Sequence, residues 1–178
     1  IKEVRRVLRP TGTFYLWGVM GYGLGWSLPR ICQWIEENNL FTVRNWITLA
    51  KSRGRGTKRG YMSVREECVF MTVGKRYTWN TAYTGVPTRR KDRGQDGKPR
   101  RSTFRRVPDV WDDISEASQS SRQRIKLPDG TTFPTVKPDA ACERIIRASS
   151  NVGDLLLIPF AGSGTEVVVA KRLHRQFI

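Results

Sequence analysis

Apolar positions along this chain change their period several times, and each change predicts an element. Ile1, Val4, Val7 and Leu8 recur at helical spacing, and Arg9-Pro10-Thr11-Gly12 ends that stripe with two residues that punctuate helices. Thr13 to Gly18 is rich in aromatics and predicts a strand. Leu28 to Asn39 returns to the helical period, with Ile31, Trp34 and Ile35 on one face. Phe41 to Ala50 and Glu67 to Val73 predict two more strands. From Asn80 to Gly130 the periodicity disappears. It resumes in a helix on which Ala141, Ile145 and Ala148 share a face. Pro138 suits its first position and Asp139 complements its dipole. Gly153 to Ile158 then predicts a short strand buried on both faces of a parallel sheet. A small, glycine-bearing turn follows, then a helix over Glu166 to Leu173 and the first residues of another strand at Arg175 to Ile178.

Alternating helices and strands of this kind predict an α/β sheet. Strand, glycine turn and helix at Leu155 to Thr165 leave backbone N–H groups free at the carboxyl edge of such a sheet, where nucleotide-like ligands commonly bind. Gly21, Gly23 and Gly25 lack that spacing and are read as a loop. A phosphate-binding ATPase loop is excluded, because Gly164-Thr165-Glu166 has no lysine. Both ends of the chain are read as falling within secondary structure, so the expectation is a segment of a longer protein.

Charge changes the picture more than composition does. Lys and Arg number 32 against 16 Asp and Glu, a formal charge of +16 over 178 residues. A field of that size favours a polyanion. The cations are clustered. Lys51 to Tyr61 carries Lys51, Arg53, Arg55, Lys58 and Arg59 with no acid, and predicts a positive loop able to follow phosphates. Arg89, Arg90, Lys91, Arg93, Arg100, Arg101, Arg105 and Arg106 stud the aperiodic stretch, which predicts a nucleic-acid-binding insert. Val107 to Ile114 is an apolar island expected to return that insert to the core, with Trp111 as packing anchor.

Cys32, Cys68 and Cys142 are scattered and His174 is the single histidine, so neither a zinc site nor a disulfide framework is legible. A reduced, cytoplasmic setting fits best. No apolar run is long enough to span a membrane.

Three segments carry a family resemblance. Pro134-Thr135-Val136-Lys137-Pro138, the helix through Glu143 to Ser150, and Gly153-Asp154-Leu155-Leu156-Leu157-Ile158-Pro159-Phe160-Ala161-Gly162-Ser163-Gly164-Thr165 together resemble the amino-methylating DNA methyltransferases. Glu3 to Gly12 and Val107 to Trp111 resemble the family as well. The resemblance implies an incomplete Rossmann-like methyltransferase sheet with a basic irregular insert. It also implies methyl transfer from S-adenosylmethionine to adenine N6 or cytosine N4 of double-stranded DNA. The cofactor loop lies late in the chain, as in the permuted members. The domain reading is then 1–79 for catalytic-half elements, 80–130 for the basic insert and 131–178 for the cofactor-binding half.

The same resemblance assigns cofactor contacts to Thr135, Lys137 and Pro138, and to Pro159, Phe160, Ala161, Gly162, Ser163, Gly164 and Thr165. With a DNA substrate implied, the clustered cations Arg53, Arg55, Lys58, Arg59, Arg89, Arg90, Lys91, Arg93, Arg100, Arg101, Arg105 and Arg106 are the candidate DNA contacts, and the insert from Arg89 to Arg106 is the expected recognition element. No catalytic residue is assigned, because the family's Asp/Ser-Pro-Pro-Tyr/Trp tetrapeptide does not occur here. Ile158 stands where the family carries an acid, and Phe133 and Val136 where it carries His and Gln. The chain stops before the acid that the family carries after the next strand. The expectation is that this chain alone binds cofactor weakly and is inactive. A non-catalytic nucleic-acid-binding remnant of such an enzyme is the alternative.

Overall fold

The computed structural model describes residues 1–18, 20, 25–55, 58–87, 103–115 and 125–178; for Arg53 and Arg55 it describes the backbone alone. It is a mixed α/β structure. The strands β1 (Thr13–Gly18), β2 (Thr42–Arg55), β3 (Ser63–Thr72) and β6 (Val110–Trp111) form one sheet in the order β1-β3-β2-β6. β3 runs antiparallel to both β1 and β2, and β6 adds parallel to β2. A second sheet pairs β4 (Tyr83–Pro87) with β5 (Phe104–Arg106), and a third pairs β7 (Leu155–Leu156) in parallel with β8 (Gln176–Phe177). The predicted aperiodic stretch therefore holds an antiparallel ribbon and the short strand β6.

Strand β3 explains the layering. Over Cys68 to Met71 its side chains alternate between faces and both faces are covered, so that part reads as a continuous apolar run. Cys68 and Phe70 join Ile47, Leu49, Trp111, Ile114 and Ala141 in one buried cluster. Val69 and Met71 join Leu28, Cys32, Ile35 and Phe41 in another. Helix α3 (Asp139–Ser149) covers the first face through Ala141 and Ile145. Helices α1 (Lys2–Val7) and α2 (Ser27–Glu37) cover the second. Trp111 is buried, as expected of an anchor, and its indole N–H donates to Pro108 O at 2.9 Å.

Three local expectations change. The buried stripe of α2 is Leu28, Cys32 and Ile35, whereas Ile31 and Trp34 are 37% and 38% exposed. Only Ile35 of the predicted face points inward, because the sheet sets the rotation of the helix. In α1 no residue is buried; Val4 and Leu8 pack partly on the core while Val7 faces out. Pro138 is the N-cap of α3 and not its first helical residue.

The last unit is built from α3, β7, α4 (Thr165–Arg172) and β8. Cys142 and Ile146 pack on Val169, Ala170 and Leu173, with Leu156 against them. Arg172 reinforces the helix pair by reaching Asp139 at 3.2 Å and Glu143 at 2.9 Å. Leu155 is 54% exposed, so β7 is covered on one face only. The expectation of burial on both faces fails there because β7 pairs with β8 alone among the described residues. Among the described residues, no helix is long and apolar enough to cross a membrane.

Candidate cofactor loop and basic surfaces

Two glycines shape the turn between β7 and α4. Gly162 has φ +53° and Gly164, the N-cap of α4, has φ +77°. Both lie in the left-handed region that side chains with a Cβ avoid. Gly164 N–H donates to Ala161 O at 2.7 Å, which closes the turn. The first helical hydrogen bond runs from Val168 N to Gly164 O at 3.0 Å. The N–H groups of the first turn are thus aimed along the helix axis toward the loop, with the positive end of the dipole behind them. Thr165 is buried, and its hydroxyl meets Ser163 Oγ at 3.0 Å. Pro159 and Gly162 are exposed, Ala161 half-buried, and Phe160 is 93% exposed.

The segment before α3 comes to this loop in part. Phe133 Cζ lies 3.9 Å from the position a Cβ on Gly162 would take. Thr135 is exposed and Pro138 buried. Lys137 turns the other way. Its Nζ pairs with Glu66 Oε2 and sits 4.5 Å from the centroid of the Trp17 ring. Glu66 Oε1 also takes Lys51. Lys137 is thus engaged with the four-stranded sheet, whereas Pro159 to Thr165 form one continuous loop.

Glu66 links three parts of the chain: β3, the root of the basic hairpin at Lys51, and the segment entering α3. Burial alone would raise its carboxyl, but the charges and hydrogen bonds of Lys137 and Lys51 outweigh that and hold it below the usual carboxylate range. A depressed carboxyl contributes stability that is full above its unfolded value near 4.5 and is lost as pH falls through the lower folded value. Glu66→Gln should therefore cost about 1–3 kcal/mol at pH 7. The gap to wild type should narrow on acidification below about pH 4.5. Urea unfolding at neutral and acid pH measures both; a gap that stays constant with pH would remove the ion pairs as its cause.

Other residues hold the site's frame and carried no signal in the sequence. Asn80 donates its backbone N–H to Ala148 O at 2.7 Å, and its Nδ2 lies 2.9 Å from Arg147 O and 3.0 Å from Ser150 O. Arg175 reaches Ser150 O and Leu173 O, each at 2.7 Å. Together they satisfy carbonyls at the ends of α3 and α4 that a helix leaves unpaired. Glu67, 2% exposed, accepts Trp46 Nε1 and Thr48 Oγ1 at 2.8 Å and pairs with Arg65 Nε at 3.1 Å. Its polar atoms are thus matched within β2 and β3, which fits a structural role.

The predicted DNA cations divide into three groups. Lys58 and Arg59 are exposed at the tip of the β2–β3 hairpin, whose strand β2 carries Arg53 and Arg55. Arg105 and Arg106 are exposed on β5. Arg89, Arg90, Lys91, Arg93, Arg100 and Arg101 lie outside the described residues.

Comparison with known proteins places this geometry. A family model described as DNA methylase, of the N6/N4 type, matches residues 1–178. Over the whole chain, the sequence is 35% identical to type II methyltransferase M1.MboII of Moraxella bovis, covering 70% of that protein. It is 32% identical to type II methyltransferase M.HpaI of Haemophilus parainfluenzae and 33% identical to DNA adenine methyltransferase YhdJ of Escherichia coli. It spans 52% and 58% of those two proteins, about half their length. Among solved structures, the cytosine-N4-specific PvuII DNA methyltransferase aligns with a TM-score of 0.69 at 18% identity, over 99% of this chain and 61% of that one. The M1.HpyAVI complex with S-adenosylmethionine aligns at 0.59 and 23%, over 99% of this chain and 71% of that one.

Proposed function

Because the chain belongs to the N6/N4 DNA methylase family, we propose that it is the cofactor-loop and DNA-contacting part of a permuted enzyme that methylates an exocyclic amino group of DNA. The observation that carries this reading is the left-handed Gly162 and Gly164 turn placed directly against the N-terminus of α4. Residues 1–79 would then be catalytic-half elements, 80–130 the recognition insert and 131–178 the cofactor-binding half.

The loop fits S-adenosylmethionine at one end. The N–H groups opening α4 suit its carboxylate, and Gly162 and Gly164 let backbone approach closely. Exposed Phe160 offers an apolar face beside them. At the other end the donor set is short, because Ile158 brings no charge to the amino group. When bound, the cofactor supplies a methyl group on an electrophilic sulfonium. Pro159 to Thr165 would bind and orient it, and Phe133 would border the turn. Lys137 would act by fixing the entry to α3 through Glu66 and Trp17. The cations of the hairpin and of β5 would hold the phosphate backbone, so that the amino nitrogen is presented in line. A base inside a duplex must first be flipped out.

Transfer of a tritiated methyl group to DNA tests the reading. The full-length protein should label DNA. The 178-residue chain should not, and should bind S-adenosylmethionine more weakly than micromolar by calorimetry. An unlabelled product from the full-length protein, with cofactor bound, would favour the non-catalytic DNA-binding alternative.

A further inference from the structure

The β2–β3 hairpin extends well past its sheet. β1 pairs with β3 only from Glu67 to Thr72, and β6 meets β2 only at Thr48 and Leu49. Among the described residues, Ala50 to Arg55 and Ser63 to Arg65 pair only with each other. At about 3.3 Å per residue the three β3 residues of this arm span roughly 10 Å. Its end is unusual for an arm in water. Tyr61 is wholly exposed, with Met62 57% and Val64 39% exposed beside it.

The tip is also tightly built. A Cβ on Gly54 would lie 2.8 Å from both Met62 Cγ and Val64 Cγ1, and would strike Ser63 O. Glycine there lets Met62 lie across the opposite strand, which leaves Tyr61 as the outermost ring. Lys58 and Arg59 stand exposed just before it, and no acid occurs from Lys51 to Tyr61. A single exposed apolar residue needs no explanation, but an aromatic, a methionine and a valine together, just after two exposed cations, do. Tyrosine, methionine and arginine also mark protein interfaces, but five cations without an acid from Lys51 to Tyr61 favour a polyanion over a protein surface. Cations that follow a phosphate backbone combined with a ring on which a base can stack are the chemistry of nucleic-acid contact. Apolar side chains that wedge between base steps work in the same way.

We propose that Tyr61, backed by Met62, stacks on a DNA base at the end of this arm, so that the hairpin contacts bases as well as phosphates. This rests on the DNA reading above and adds to it a contact that charge alone does not provide.

Fluorescence anisotropy with a labelled random-sequence duplex and its single strand, across a series of salt concentrations, tests it on the 178-residue chain. Tyr61→Ala should weaken binding about ten-fold with an unchanged salt slope. Tyr61→Phe should stay within about two-fold of wild type, since the ring is retained. Lys58→Ala with Arg59→Ala should instead flatten the slope by about two ions. Circular dichroism melts should match wild type, because Tyr61 touches no core. Wild-type binding with unchanged affinity in Tyr61→Ala would overturn the stacking contact and leave the DNA reading intact. Equal losses in Tyr61→Phe and Tyr61→Ala would overturn it too, by placing the effect on the hydroxyl. A wild-type chain that binds neither strand at low salt would overturn the DNA reading itself.

Discussion

Replacing Phe70 by alanine is expected to cost about 3–5 kcal/mol of folding free energy, the largest single effect anticipated outside the loop. Phe70 is 2% exposed near the C-terminal end of β3. Its ring stacks on Tyr15 at 4.9 Å and on Trp79 at 5.2 Å, and meets Tyr77 edge-on at 5.9 Å. Aromatic pairs of this kind add about 0.5–1.5 kcal/mol beyond burial. The consequence reaches the candidate site through the chain itself. Trp79 is followed by Asn80, which holds the carbonyl end of α3, and Tyr15 meets Ser149 through its hydroxyl. A cavity at Phe70 therefore loosens the helix that positions the glycine loop. Urea unfolding of Phe70→Ala and Phe70→Leu decides the matter. Leucine, which refills most of the volume, should recover more than half of the loss. A loss below about 1 kcal/mol in the alanine variant would mean that the ring cluster is not the core of this sheet.

How much of this was legible in the sequence differs from element to element. The glycine loop was, because Gly162 and Gly164 are demanded by backbone angles that few other residues tolerate. Buried Trp111 was, because an apolar island is a local signal. The rotation of α2 was not. Leu28, Cys32 and Ile35 compete with Ile31 and Trp34 for the buried face, and only the sheet decides between them. The ribbon of β4 and β5 was missed because Tyr83–Pro87 and Phe104–Arg106 are short and pair across 16 intervening residues. Glu66 was passed over for a related reason. Its partners Lys51 and Lys137 are far away in sequence, so nothing near Glu66 marks it as the joint between the basic arm and the approach to α3. Asn80 and Arg175 belong with it, as capping groups supplied from outside the helices whose ends they satisfy.

The second large effect should come from giving the loop the acid it lacks. Ile158→Asp is expected to tighten S-adenosylmethionine binding about ten-fold, since a charge-assisted hydrogen bond contributes about 1.5–3 kcal/mol and part of that is lost to ordering. The backbone is ready for it: Ile158 N–H donates to Ile178 O at 2.8 Å, which holds the residue in place whatever its side chain. Ile158 is half-buried, so the carboxylate keeps some contact with water and costs less than a fully buried charge would. Two controls separate charge from shape. Ile158→Asn has nearly the same volume without the charge and should gain little, and raising salt should erode the gain of Ile158→Asp alone. Calorimetric titration at neutral pH reads all three chains. If aspartate and asparagine bind equally weakly, the position does not face the amino group and the carry-over of the family's acid to Ile158 is wrong. If aspartate gains and asparagine does not, Gly162 to Thr165 form a working half-site whose weakness lies in one side chain. The isolated chain would then have kept its loop geometry and lost a charge.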